Sequence, residues 1–274
     1  MRDLLLVRDA TVLMETAEGP LKVLEGVGFS LAEGEFVALV GLNGSGKSTL
    51  LKAVAGLIPL TGGEIVRRGR PDGPHGTSFV FQNPSLMMIG DTVLETVAFG
   101  LERLGLPEED IVRRVREALE AVGIGGLMHA HTGTLSGGQQ QLAAVASALA
   151  ADAGLMLFDE AASMLDPPSR RRLLDAVRIA SGRGNAVVWA THSMDEAALA
   201  DRILALEGGR LRFDGSPRDF FYGDENGDAP CRRLGLEPPV FVRIAEELEK
   251  SGRAVPERPL DENGFWSMVE RLWS

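Results

Sequence analysis

Gly41-Leu42-Asn43-Gly44-Ser45-Gly46-Lys47-Ser48-Thr49 combines three residue types that suit one kind of chemistry. Glycines let successive backbone N–H groups turn toward a common anion. A lysine adds positive charge, and the hydroxyl beside it ligates a hard divalent ion. The spacing G-x-x-x-x-G-K-[ST] has meaning only between a strand and a helix, and both flanks fit. Phe36-Val37-Ala38-Leu39-Val40 reads as a buried strand, and residues 50–57 are apolar at helical spacing without proline. Such a helix points its positive end at the same anion. With four lysines in the whole chain, a chance match is on the order of half a percent. The stretch predicts a nucleoside triphosphate site, with Lys47 at the β- and γ-phosphates and Ser48 on Mg²⁺.

Three further groups sit where strands or helices end. Leu155-Met156-Leu157-Phe158-Asp159-Glu160 reads as a buried strand delivering two carboxylates at its C-terminal end, the edge where ligands bind in open α/β sheets. Unpaired, the two would be costly there; Mg²⁺ and an attacking water give each a task. Asp159 suits the metal and Glu160 suits the water. Ala186-Val187-Val188-Trp189-Ala190-Thr191-His192 is a second buried strand, with a histidine at the same edge. Leu135-Ser136-Gly137-Gly138-Gln139 opens a helix running to about Ala151, where Ser136 is either an N-cap or part of an anion site. Gln82, after the short strand Ser78-Phe79-Val80-Phe81, carries little information alone.

These groups need an α/β scaffold. Residues 4–40 alternate apolar runs (10–14, 27–31) with Glu-Gly turns, which predicts antiparallel strands ahead of a parallel core. Glu64-Ile65-Val66 is a further short strand, and residues 69–76 are turn-rich. From Asp91 to Ala151 the pattern is helical, with Val115, Leu119 and Val122 on one face of a helix opened by Pro107.

Composition narrows the function classes. The net charge of −11 argues against direct, broad binding to nucleic acid, and Arg170-Arg171-Arg172 reads as a solvated helix face. The single cysteine, Cys231, forms no internal disulfide and fits a reducing cytosol. The N-terminal apolar run is too short for a signal peptide, and the most apolar window, residues 142–158, is interrupted by Ser147, Asp152 and Gly154. Any membrane role is expected to come through a partner.

Taken in order, Gly41–Thr49, Gln82, Leu135–Gln139, Leu155–Glu160, Ser163-Met164-Leu165-Asp166 and His192 resemble the ATPase domain of ABC transporters over residues 3 to about 222. The resemblance implies an ABC-type P-loop ATPase fold at 1–222: a RecA-like parallel core, an N-terminal antiparallel β subdomain and a helical subdomain near 83–150. A helical extension follows at 223–274. It implies an ATP hydrolase coupled to transmembrane transport, with ATP and Mg²⁺ as cofactors. Glu160, His192, Gln82 and Lys47 would be catalytic, and Ser48, Gln82 and Asp159 would hold the metal. Gly41, Leu42, Asn43, Gly44, Ser45, Gly46, Lys47, Ser48 and Thr49 would hold nucleotide together with Ser136, Gly137, Gly138 and Gln139 of a second subunit, in a head-to-tail homo- or heterodimer.

A narrower resemblance, to ATPases of energy-coupling-factor transporters for cobalt, nickel and vitamins, rests on several stretches. These are Phe81-Gln82-Asn83-Pro84, residues 90–101, Leu104-Gly105-Leu106-Pro107, the Ser163–Pro167 loop and the tail from Leu234-Gly235-Leu236-Glu237-Pro238-Pro239. It implies a peripheral subunit on the cytoplasmic face of the membrane, bound to integral membrane subunits and powering uptake of a metal ion or vitamin. The alternatives are the ATPase of a conventional ABC importer or exporter, or a soluble ABC ATPase on nucleic acid or ribosomes. Asp91 and Glu95 either meet an arginine of the membrane partner or cap a helix. The tail stripes Phe241/Ile244/Ala245/Leu248 and Phe265/Met268/Val269/Leu272 serve either packing or dimerisation. The chain departs from the family in lacking an aromatic near Thr16 to stack on adenine: Met14, Thr16 and Ala17 offer none.

Overall fold

The computed structural model describes residues 3–17, 19–67, 76–223, 229–253, 255 and 258–272. The chain opens with β1 (Asp3–Thr16), β2 (Gly19–Ala32) and β3 (Phe36–Val40), then α1 (Lys47–Ala55), β4 (Gly62–Arg67) and β5 (Thr77–Val80). Three helices follow, α2 (Val93–Glu102), α3 (Glu108–Ala121) and α4 (Gly137–Ala151), before β6 (Leu155–Asp159). The remainder runs α5 (Pro167–Gly182), β7 (Ala186–Ala190), α6 (Met194–Ala197), β8 (Arg202–Glu207), β9 (Arg210–Gly215) and α7 (Pro217–Tyr222). The last elements are α8 (Pro230–Arg233), α9 (Val240–Lys250) and α10 (Glu262–Leu272). Of the turn-rich stretch 69–76, only Gly76 lies within the described residues.

Two sheets result. A three-stranded antiparallel sheet has the order β2-β1-β4, and a six-stranded sheet has the order β5-β6-β7-β3-β8-β9. The latter is parallel except for its edge strand β9. The expected α/β architecture, with an antiparallel N-terminal sheet and helices inserted before β6, is what the chain adopts.

The continuous apolar runs of β3, β6 and β7 follow from burial on both faces. Side chains alternate across the sheet. Val37 and Leu39, with Leu155 and Leu157, pack on α1 and the antiparallel sheet. Phe36, Met156 and Phe158 face the core formed by α2, α3, α4 and α5. Ala38 and Val40 meet α6, α7 and α9. Every strand of the parallel group is thereby clamped, which fixes where its C-terminal ends lie.

Some boundaries differ from expectation. The apolar runs at 10–14 and 27–31 lie within two 14-residue strands, whose ladder continues through register shifts that a sequence pattern does not show. β5 stops at Val80 and β7 at Ala190, so Phe81, Thr191 and His192 lie in loops. Pro107 caps α3 rather than occupying its first turn, while Val115, Leu119 and Val122 are buried as expected.

In the tail, α9 buries Val242 and Ala245 and leaves Ile244 exposed, a one-position rotation of the expected stripe. Phe241 packs on Phe265 with ring centroids 5.2 Å apart, and Met268 is buried. The side chain of Leu272 lies outside the described residues. Cys231 is buried with its Sγ 3.2 Å from the Leu236 carbonyl, and burial pushes its thiol up to about 12. It is inert at neutral pH.

Candidate functional site

The sheet order brings the predicted groups together. Gln82 follows β5, Glu160 follows β6, His192 follows β7, and the glycine-rich loop follows β3. These four strands are consecutive and parallel, so all four loops open on one edge. A cleft of about 590 Å³ lies there, lined by residues 41–49, Gln82, Glu160 and His192.

Packing dictates two of the three glycines of the loop. At Gly41, φ is +151° and a Cβ would stand 2.3 Å from the Leu206 carbonyl and 2.6 Å from Ser45 Oγ. Gly46 has φ +105° and is hemmed in by Leu24 and the Val23 carbonyl. No side chain fits either place. Gly46 caps α1 without a side-chain hydrogen bond, so the first N–H groups of the helix have no capping side chain. The Ser45 hydroxyl is buried with no protein partner. An orphan donor and a helix N-terminus together form a cradle for an anion.

Lys47 is buried and its Nζ donates to the carbonyls of Gly41 (2.8 Å) and Leu42 (3.4 Å). Burial lowers its pKa, opposed by Glu160 and Asp159. Ser48 Oγ donates to Asp159 Oδ1 at 2.9 Å. Burial raises the Asp159 pKa, with the Ser48 hydrogen bond acting against it. A hydroxyl and a partly desolvated carboxylate side by side form an oxygen donor pair suited to a hard cation such as Mg²⁺.

Glu160 is the convergence point. Gln82 Nε2 donates to its Oε2 at 3.0 Å, and His192 Nδ1 stands 3.6 Å from the same oxygen. Its backbone is in the left-handed region (φ 52°), which costs a non-glycine residue about 1–3 kcal/mol. A hydrogen bond from its N–H to the Ala190 carbonyl holds the turn, joining β6 to the end of β7. Two residues from two other loops thus meet on this one carboxylate.

The comparisons with known proteins decide the family. The ABC transporter family model matches residues 24–163. The energy-coupling factor transporter ATP-binding protein EcfA of Methanosarcina acetivorans is 36% identical over 259 residues, covering 91% of this chain and 93% of the relative. EcfA1 of Bacillus licheniformis is 39% identical, covering 92% and 90%. Among solved structures, a dimeric ATP-binding cassette in a post-hydrolysis state with ADP and phosphate matches with TM-score 0.71, at 27% identity, covering 78% of this chain and 99% of that one. The structure of cbiO1 from Clostridium perfringens, part of the ABC transporter complex cbiONQ, matches with TM-score 0.70 at 27% identity, covering 91% and 100%.

The chain belongs to the ABC transporter family. It is an ATPase of the energy-coupling-factor kind, whose ATP hydrolysis is coupled to transport.

In this ABC ATPase the second predicted nucleotide group stands apart from the cleft. Ser136 caps α4 in a reciprocal box: its Oγ accepts from Gln139 N (3.3 Å), and the Gln139 side chain accepts from Ser136 N (2.9 Å). Ser136 and Gly137 are exposed, and none of residues 136–139 lines the cleft. The paired glycines have a packing reason as well. A Cβ on Gly138 would stand 3.3 Å from the Met164 carbonyl, and one on Gly137 would stand 3.5 Å from Met164 Sδ. The 163–166 loop therefore rests on the start of α4.

Two cleft residues escape sequence reasoning. Val23, from the middle of β2, and Leu236, from the tail, line the wall beside the loop. No local pattern marks either one. No aromatic is among the described lining residues. Of the two acids after Gln82, Glu95 is occupied in a capping box with Thr92 (3.0 Å), the structural role weighed for it. No described helix is long and apolar enough to cross a membrane.

Proposed function

We propose that this chain powers an energy-coupling-factor importer from the cytoplasmic face of the membrane as a peripheral subunit bound to integral membrane subunits, driving uptake of a metal ion or vitamin. The observation that carries the reading is the convergence of Gln82, Glu160 and His192 beside the loop at 41–49, while Ser136–Gln139 face outward. One chain then holds half a site twice over. A second ATPase subunit, identical or homologous, brings its own Ser136–Gln139 over the ATP held by residues 41–49.

In this mechanism the backbone N–H groups of 44–49 and the Lys47 ammonium take the phosphates, Lys47 giving up its loop carbonyls to do so. Ser48 and Asp159 would hold Mg²⁺, with Gln82 completing the set. When bound there, the ion would supply charge neutralisation to the phosphates. Glu160 orients the attacking water and receives its proton, and its strained backbone holds the carboxylate at the edge. Gln82 and His192 hold that carboxylate, and His192 contacts the γ-phosphate. Dimer closure on ATP and opening after hydrolysis transmit the stroke. Exposed Leu86, Ile89 and Phe99, flanking the loop after Gln82, offer an apolar surface for the membrane subunit.

Coexpression with candidate membrane subunits tests this. The expected result is copurification of an integral membrane subunit and Mg²⁺-dependent ATP hydrolysis by the complex. A chain that hydrolyses ATP but copurifies with no membrane protein contradicts the transport role.

A further inference from the structure

Glu196 is a buried acid to which the ATPase mechanism above gives no task. It lies in α6, is 5% exposed, and collects three groups from two directions. Its Oε2 accepts from Trp189 Nε1 at 2.8 Å and from Thr191 Oγ1 at 2.7 Å. Thr191 Oγ1 in turn accepts from Ser193 N at 2.9 Å. Both residues flanking His192 are therefore tied to this one carboxylate, directly or through one hydroxyl.

The other oxygen faces Arg170. Arg170 Nε is 3.5 Å from Glu196 Oε1 and is buried without a hydrogen bond, so the carboxylate is the charge that compensates it. The Arg170 Nη2 donates to the Leu165 carbonyl at 3.3 Å. Leu165 belongs to the loop seated on Gly137 and Gly138. A continuous set of contacts thus runs from the start of α4, through Met164 and Leu165, to Arg170, Glu196, Thr191 and His192. It joins the outward-facing half-site to the inward-facing one within a single chain.

We propose that Arg170 and Glu196 are positioning residues that set His192 according to where the 163–166 loop lies, so that each half-site senses the other. This rests on the ATPase reading above. A charge pair with one buried and one half-buried member holds a geometry rather than adding much stability, and a single arginine spanning a carbonyl and a carboxylate ties the 163–166 loop to α6. Lysine at 170 keeps the charge but lacks the two separate nitrogens, Nε and Nη2, that reach the carboxylate and the carbonyl.

Spatial continuity alone does not show coupling, so the test is a double-mutant cycle. Single-turnover ATP hydrolysis is measured on the full chain assembled with its membrane subunits, for wild type, Arg170→Met, Arg170→Lys, His192→Ala and Arg170→Met/His192→Ala. Arg170→Met is expected to slow hydrolysis roughly tenfold with KM for ATP within about twofold. In the His192→Ala background it is expected to add nothing, and Arg170→Lys is expected to recover part of the loss. Multiplicative losses in the double variant, an unchanged rate in Arg170→Met, or a loss confined to KM would overturn the proposal. If Arg170→Met does not fold, Glu196→Gln carries the same cycle, since an amide oxygen still accepts from Trp189 and Thr191. If the assembled wild type hydrolyses no ATP, the functional reading fails. The brace is then read by the His192 ring resonances in NMR: a shift on Arg170→Met supports it, and unmoved resonances overturn it.

Discussion

The loop after β3 and the start of α4 are both glycine-rich helix N-termini, yet their surroundings differ. The first is anchored at both ends: Gly41 and Gly46 are pressed against β8 and β2, Ser45 Oγ has no partner, and Lys47 is buried. The second is exposed and self-satisfied, with Ser136 and Gln139 closing each other's hydrogen bonds. A strained, unsatisfied cradle holds a ligand within its own chain. A capped, exposed terminus presents itself to something outside. The difference supports the proposal that the two motifs of one polypeptide serve two different ATP molecules.

The largest effect expected from breaking this asymmetry is at Glu160. Glu160→Gln should lower turnover by about 10²–10⁴-fold, the range for a lost general base, with ATP affinity retained. Steady-state phosphate release checks it, and retained turnover would remove Glu160 from its role. Next is Ser136→Glu, which sets a negative charge against the partner's nucleotide. Hydrolysis should fall about 10²-fold while ATP binding by the isolated monomer changes less than twofold. Loss of monomer binding would place Ser136 in the cis site and collapse the comparison.

Stability sharpens the contrast between the glycines. Gly41→Ala meets the Leu206 carbonyl at a positive φ and should destabilise by about 2–4 kcal/mol. Gly137→Ala, with only ordinary contact to Met164, should stay within about 0.5 kcal/mol. Denaturant midpoints measure both.

The pH dependence of stability supplies a further test, at Asp159. Burial raises its pKa, so the folded chain binds that proton more tightly than the unfolded chain. Its contribution to stability falls as pH rises from the ordinary carboxylate range through the raised value. Asp159→Asn should therefore raise the nucleotide-free Tm at neutral pH while removing Mg²⁺-dependent hydrolysis. An unchanged pH dependence of Tm between the two would show that the carboxylate is not penalised by burial.

What was legible in the sequence was local. The loop at 41–49, the helix start at Ser136–Gln139 and the strand carrying Asp159 each declare themselves through spacing within a dozen residues. Gln82 and His192 did not, because their meaning depends on β5, β6, β7 and β3 lying side by side, an order set by long-range pairing. Glu196 reads as one more acid on a short polar helix. Only tertiary packing places Trp189, Thr191 and Arg170 around it. Leu236 reaches the cleft because the tail packs across β3 and β8, contacts without periodicity to reveal them.

The central claim, that the two half-sites meet only between chains, is tested most directly by sedimentation of Glu160→Gln with and without Mg²⁺·ATP. The account predicts a monomer without nucleotide, a dimer with it, and no dimer when Ser136→Glu is added. A Glu160→Gln chain that stays monomeric at saturating Mg²⁺·ATP, or dimerises equally well with Ser136→Glu, would contradict it.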